Sequence, residues 1–161
     1  MKKIFLIGII SLVSIFMFTG CGEMPEKGIY KEGTYFGYSS KLEGTLTYTT
    51  TAVIYINEYG MIKSLFIDST YSDTPGLLTT KKYESYSYEI SSPSTTESDI
   101  ITIPDWNKQV KLIENAVLKE QGINFIKWID DNKTVSESID GVTMPINDIY
   151  TAINNALNEA K

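Results

Sequence analysis

The chain carries a single cysteine, Cys21, which follows directly on a long apolar stretch at its start. One cysteine permits no intramolecular disulfide. Whatever folds after it is held by packing and hydrogen bonding alone. Of the 161 residues, 141 follow residue 20, enough for one domain with its own core and too few for two ordinary ones. Hydrophobic residues make up 42% and charged residues 21%, a balance that belongs to a folded chain rather than a disordered one.

The start reads Met1-Lys2-Lys3 and then an apolar run from Ile4 to Phe18. A basic end followed by a short hydrophobic stretch is the layout of a signal peptide. As a helix, 15 residues would reach only about 22 Å, short of the ~30 Å hydrocarbon core of a bilayer. The run closes in Phe18-Thr19-Gly20-Cys21, which resembles the bacterial lipobox, with Phe18 where leucine is usual. That resemblance implies cleavage before Cys21 and attachment of acyl chains to its sulfur. Two or three chains give lasting attachment where one gives only marginal binding. The expected organisation is a signal peptide at 1–20, a lipidated tether at 21–32 and a domain at 33–161, placed outside the cytoplasm and anchored to the cell membrane. The tether contains Gly22-Glu23-Met24-Pro25-Glu26-Lys27-Gly28, a polar stretch with the glycine and proline of a flexible linker.

Charge narrows the partners. Lys2 and Lys3 are two of the 14 basic residues, so 12 remain against 20 acidic ones and the mature part carries about −8. Such a domain does not bind nucleic acid by neutralising phosphates, nor is it drawn to anionic lipid. There is no histidine and no arginine. Ser-His-Asp and Cys-His mechanisms are thereby excluded. Zinc loses its commonest nitrogen ligand, and phosphate recognition falls to lysine and backbone N–H groups.

The order of elements predicts an α+β domain, with helices covering one face of an antiparallel sheet. Gly33 to Tyr38 reads as a first strand. Thr45 to Asn57 is rich in Thr, Tyr, Val and Ile, residues that suit a pleated surface. Its even positions Leu46, Tyr48, Ala52, Ile54 and Ile56 mark one buried face. Glu58-Tyr59-Gly60 is a turn with a glycine for positive φ, and Met61 to Tyr71 returns to complete a hairpin. Asp73-Thr74-Pro75-Gly76 is a second turn. Lys81 to Ile90 stays open between a strand (Tyr86, Tyr88, Ile90) and a helix face (Tyr83, Tyr86), and Ser91 to Asp99 is a polar loop. A helix starts at Trp106 behind Asp105, runs through Val110, Ile113, Val117 and Leu118, and stops at Gly122. Trp128 to Asp140 holds a turn at Asp130–Lys133 and a short strand. A last helix begins near Pro145 to Asp148, with Ile146, Ile149, Tyr150, Ile153, Leu157 and Ala160 on its apolar stripe.

Few positions invite chemistry. Asp130-Asp131 with Asn132 lacks the glycine and terminal glutamate of a calcium loop, so it reads as a solvated turn, and no metal site is expected. The eleven tyrosines suit a half-exposed sheet, although tyrosines can also stack on a planar ligand. Lys81 and Lys82 read as a solvated pair, near enough to each other to meet a phosphate. No nucleophile–base pair stands out, so an enzyme is not expected. The informative stretch is Glu137-Ser138-Ile139-Asp140-Gly141-Val142-Thr143-Met144-Pro145 before the last helix. It can be a phosphate cradle, where unpaired N–H groups and the helix dipole favour an anion, or a plain turn with Thr143 as the cap.

Taken in order, these motifs resemble the FMN-binding domain family, which includes the flavin-carrying C subunit of the sodium-translocating quinone reductase and many membrane-anchored lipoproteins. Gly33-Thr34-Tyr35 matches its opening element. Glu58-Tyr59-Gly60-Met61-Ile62-Lys63 stands at its hairpin turn, and Trp106-Asn107-Lys108-Gln109 at its helix start. Asp140-Gly141-Val142-Thr143 matches its Ser-Gly-Ala-Thr motif, and Ala156-Leu157-Asn158-Glu159-Ala160 its closing helix. The resemblance spans most of residues 30 to 160. It implies FMN held through a phosphoester on Thr143, with Gly141 and Val142 giving backbone contacts and Asp140 beside them. It also implies an electron carrier working with a membrane redox partner. The departures are Asp140, which sets a negative charge beside the phosphate, and Val142, which adds bulk. With them goes a second expectation: a non-redox surface lipoprotein of the same fold, a binding module or antigen that has lost flavin.

Overall fold

A computed structural model describes residues 27–72, 77–84 and 103–161. The leader, Cys21, the turn at Asp73–Gly76, the Tyr86–Tyr88–Ile90 alternation and the loop at Ser91–Asp99 lie outside these. Four antiparallel strands form a sheet in chain order: β1 (Gly33–Glu43), β2 (Leu46–Ile56), β3 (Ile62–Tyr71) and β4 (Thr79–Thr80). A helical turn at 81–84 follows β4. Two helices, α1 (Ile103–Glu120) and α2 (Asn147–Glu159), pack against the sheet, α1 on β3 and α2 on β1 and β2. The fold is α+β, as the order of elements predicts.

The hairpin of β2 and β3 forms where the Val/Ile/Thr/Tyr-rich runs place it, and Gly60 turns it at φ 73°. Alternation buries Ala52, Ile54 and Ile56 on β2 and Leu65 and Ile67 on β3, while Tyr55 and Phe66 point the other way and stay exposed. The expected buried face of β2 fades toward its start. Leu46 is exposed and Tyr48, which lines the cleft described below, is only half-buried. β1 continues to Glu43, well past Tyr38. Its polar second half is paired residue for residue with β2, and the Ser40 and Thr49 hydroxyls meet across the strands at 3.1 Å.

Gly37 is where β1 accepts α2. A Cβ at this position would stand 2.1 Å from the Ala152 carbonyl oxygen and 2.5 Å from the Ala156 nitrogen. Helix backbone therefore lies directly on strand backbone, and only glycine leaves room. Ala152, Ile153, Ala156 and Leu157 are buried beneath; small residues at 152 and 156 allow the approach.

The ends of the helices differ from expectation. α1 opens at Ile103, so Asp105 lies inside its first turn, where a negative charge suits the helix dipole. At its other end the helix stops with Gln121 at φ 55° and Gly122 at φ 156°, and the Gly122 N–H bonds back to the Val117 carbonyl at 3.3 Å. Glutamine at positive φ is offset by its side chain. Its Oε1 accepts from Ile62 N–H at 2.7 Å, and its Nε2 donates to the carbonyls of Ile62 (3.1 Å) and Leu118 (2.6 Å). α2 starts after Ile146, which makes no side-chain cap, so Thr143 does not cap this helix. The short strand expected between 128 and 140 is a single bridge, Trp128 to Ser136.

Candidate functional site

The cleft lies at the end of the sheet farthest from residue 33. It has a volume of about 450 Å³ and takes its walls from the end of β1, the start of β2, the end of β3, Lys81, α1 and the entry to α2. A concave site of this size suits a small organic ligand. Thr50 and Ser69 form a polar floor next to the aliphatic part of the sheet face; both are buried, and their hydroxyls bond to each other at 3.1 Å. Buried polar groups are tolerated when paired in this way. Trp106, from the first turns of α1, is a wall of the cleft, and the Lys81 ammonium lies 5.0 Å from the centre of its ring, within cation–π range.

Electrostatically the cleft is mixed. Burial pushes the Lys81 ammonium below the ordinary lysine range, against the opposing pull of the Glu43, Asp148 and Asp68 carboxylates. Lys41 and Glu43 pair at 2.7 Å on the rim, and the Ser39 hydroxyl donates to Asp148 at 2.9 Å. A partly desolvated ammonium has lost hydration that an anionic group could replace.

The loop before α2 forms the lip. Met144 and Pro145 line the cleft, while Thr143, next in the chain, is exposed. Gly141 has φ 80°, which turns the chain here, and Asp140 is exposed beside it. Val142 is buried, and its N–H donates to the Ile139 carbonyl at 3.1 Å. The N–H groups of Thr143 and Met144 both donate to Oε1 of Gln109, at 2.8 and 3.0 Å. Three successive backbone donors of the motif therefore have partners within the chain. What the loop presents outward is the Thr143 hydroxyl, whose only described contact is a long one of 3.4 Å from Gln109 Nε2.

One of the sequence expectations changes, and the turn at Asp130 gains detail. Lys81 and Lys82 are not a solvated pair. Lys82 is buried, with its ammonium 2.6 Å from Glu114 Oε1 and 3.9 Å from the Phe66 ring centre, while Lys81 faces the cleft. One helical turn at 81–84 sends neighbouring side chains to opposite sides. Asp130 is a loop staple: its carboxylate accepts from Thr134 N–H, the Thr134 hydroxyl (2.6 Å) and Val135 N–H (2.7 Å), which holds it below the usual carboxylate range. No group of three or more His, Cys, Asp or Glu able to hold a metal exists among the described residues.

Glu114 was not singled out in the sequence, and Gln109 entered only as the last residue of the Trp106–Gln109 motif. Both are polar residues of an amphipathic helix, with no local pattern that shows their partners. Glu114 is 2% exposed, and besides Lys82 it accepts from Ile67 N–H at 2.9 Å and from Lys111 at 3.2 Å. β4 pairs with β3 only at Thr70 and Tyr71. Glu114 therefore takes the place of a strand neighbour at Ile67.

No protein-family model matches the chain, and none of the curated proteins does. Among solved structures, it is similar to a solution NMR structure of a protein from Clostridium thermocellum. The two are 20% identical with a TM-score of 0.52, over 80% of this chain and 91% of that one. Likeness at this identity speaks to the fold alone. No described helix is long and apolar enough to cross a membrane.

Proposed function

We propose that the chain is an extracytoplasmic lipoprotein, anchored through acyl chains on Cys21, whose domain belongs to the FMN-binding type and carries electrons through a flavin held at the cleft. The observation that carries this reading is the pairing of an aromatic wall (Trp106) with a partly desolvated ammonium (Lys81) in a cleft of about 450 Å³, with the exposed hydroxyl of Thr143 one residue before the lip residues Met144 and Pro145. A planar ring with an anionic tail uses all three.

The residues fit the group in a particular way. Backbone N–H groups of the loop are engaged by Gln109 and Ile139, so they do not cradle a phosphate. Thr143 offers its oxygen as the point of attachment, and Lys81 offers charge. Flavin, when bound, supplies the redox chemistry. The chain's own residues position it. Trp106 limits the ring's freedom, the Thr50–Ser69 floor offers hydroxyls, and Met144 and Pro145 exclude water at the lip. The carboxylates of Glu43 and Asp148 in the same cleft favour an uncharged ligand instead. They are the specific support for the second reading, a non-redox binding lipoprotein of the same fold.

Adding FMN to the purified protein and following tryptophan emission separates the two. On the flavin reading, emission is quenched, Trp106→Phe removes most of the quenching, and Lys81→Met weakens binding about tenfold, the equivalent of ~1.4 kcal/mol. Unchanged emission at saturating FMN, in a protein that also arrives colourless, rules the flavin reading out.

A further inference from the structure

The sheet face turned away from the helices has a composition unlike the rest of the molecule. The strand register sets Phe36, Val53 and Phe66 side by side in one row across three strands, with Tyr55 one row nearer residue 33 and Tyr38 one row beyond. Phe36, Tyr38, Tyr55 and Phe66 are between 43% and 57% exposed. The rows that carry them are completed by Thr34, Thr51, Ser64 and Asp68. Asp68 is the single charged residue in these three rows, and its carboxylate accepts from the N–H groups of Ser69 and Lys82; the buried Lys82 ammonium, 3.9 Å from the Phe66 ring centre, is paired with Glu114. In a chain of net charge −6, a nearly uncharged aromatic face is selective. It favours a partner that is itself uncharged and tolerant of amphipathic rings.

The chain's own connectivity says where this face is held. The described chain begins at Lys27, and Gly28 N–H bonds to the Tyr59 carbonyl at 2.7 Å, at the β2–β3 turn. The entry therefore lies at the end of the sheet that carries Tyr55, and Ile29 there is 74% exposed. From Cys21 to Lys27 is six residues, a reach of at most about 20 Å. A domain fastened so closely keeps that end at the bilayer surface whatever else it does.

We infer that the outer face of β1, β2 and β3, centred on Phe36, Val53 and Phe66, rests on the interfacial zone of a zwitterionic bilayer. The inference rests on lipidation of Cys21. Tyrosine rings and apolar side chains partition at the headgroup level, and the lack of net positive charge matches neutral headgroups rather than anionic ones. Laid this way, the sheet turns the helices and the cleft at its far end away from the lipid.

The test uses the full chain, matured in cells and reconstituted in phosphatidylcholine vesicles. Intact mass first reports whether Cys21 is acylated. Phe36→Trp and, separately, Phe66→Trp then place a reporter on the face, and vesicles with brominated acyl chains quench what lies at the interface. Native Trp106 and Trp128 belong to the opposite layer, where Trp106 is buried and Trp128 packs on Tyr150 of α2. The expected result is a loss of emission in both variants on brominated lipid, with the unsubstituted chain unchanged. An acylated chain whose two reporters keep full emission overturns the inference while leaving the lipoprotein reading intact. A chain that matures without acyl groups on Cys21 overturns both.

Discussion

Gln109 holds Thr143 through both ends of its side-chain amide, accepting from the threonine N–H at 2.8 Å and reaching its hydroxyl at 3.4 Å. The same Oε1 also takes the N–H of Met144 at 3.0 Å. One side chain of α1 thus sets the shape of the lip over the cleft. Gln109→Ala leaves the exposed Thr143 N–H to water and the part-buried Met144 N–H without its acceptor, and should cost about 1 kcal/mol or somewhat more. Gln109→Glu keeps the acceptor and should cost less. Urea denaturation checks the order; equal losses for the two variants would count against the acceptor's role.

Glu114 and Lys82 form a buried ion pair that also closes the open side of β3 at Ile67. Removing one partner strands the other. Glu114→Ala should destabilise the fold by about 3–5 kcal/mol, more than an exposed glutamate would. Glu114→Gln keeps an acceptor for the Ile67 N–H and loses the charge, so it should fall between. A double change of Lys82→Met with Glu114→Gln removes both charges, keeps an acceptor for the Ile67 N–H, and should recover much of the loss. Thermal unfolding of the four proteins gives the comparison.

Gly37→Ala should be among the most damaging single methyl groups that can be added. The new Cβ would lie 2.1 Å from the Ala152 carbonyl oxygen, so α2 has to lift from β1. Overpacking of this kind costs up to about 3 kcal/mol. Alanine at exposed Thr34, on the same strand, should cost far less; equal urea midpoints for the two would show that helix and strand are not in such contact.

Much of this was legible in the sequence. The hairpin, the helix through Val110, Ile113 and Val117 and the last helix follow from periodicity, because each buries one side of a regular element. The junctions were not. Gly37 looks like any strand glycine until a helix 115 residues away in sequence lies across it. Gln121 takes a conformation usually left to glycine, since its side chain bonds to both backbone groups of Ile62, 59 residues away, which only the fold supplies. Likewise, the residue that engages the N–H groups of Thr143 and Met144, Gln109, comes from another helix; the sequence places it in the Trp106–Gln109 helix start, and only the fold shows what it holds.

Asp130 gives the fold an acid-sensitive point. Its carboxylate accepts three hydrogen bonds from Thr134 and Val135, which hold its pKa below the ordinary value. A group depressed in the folded state contributes stability above its unfolded pKa and loses it as pH falls through the folded one. The contribution is therefore complete above the unfolded aspartate value of about 3.9 and fades below it. Asp130→Asn should lower stability near neutral pH and flatten this acid limb. Parallel acid limbs for the two proteins would remove Asp130 from the account.

The central claim is that Thr143 carries a flavin over the cleft. Its most direct test is the mass and colour of the mature chain, made in cells that also express the flavin-attaching transferase and then denatured. The account predicts a flavin-coloured chain heavier by one FMN less one water, with the addition on the peptide containing Thr143 and absent from Thr143→Ala. A denatured chain that is colourless and of unmodified mass, from a folded protein that also takes up no added FMN, would contradict it.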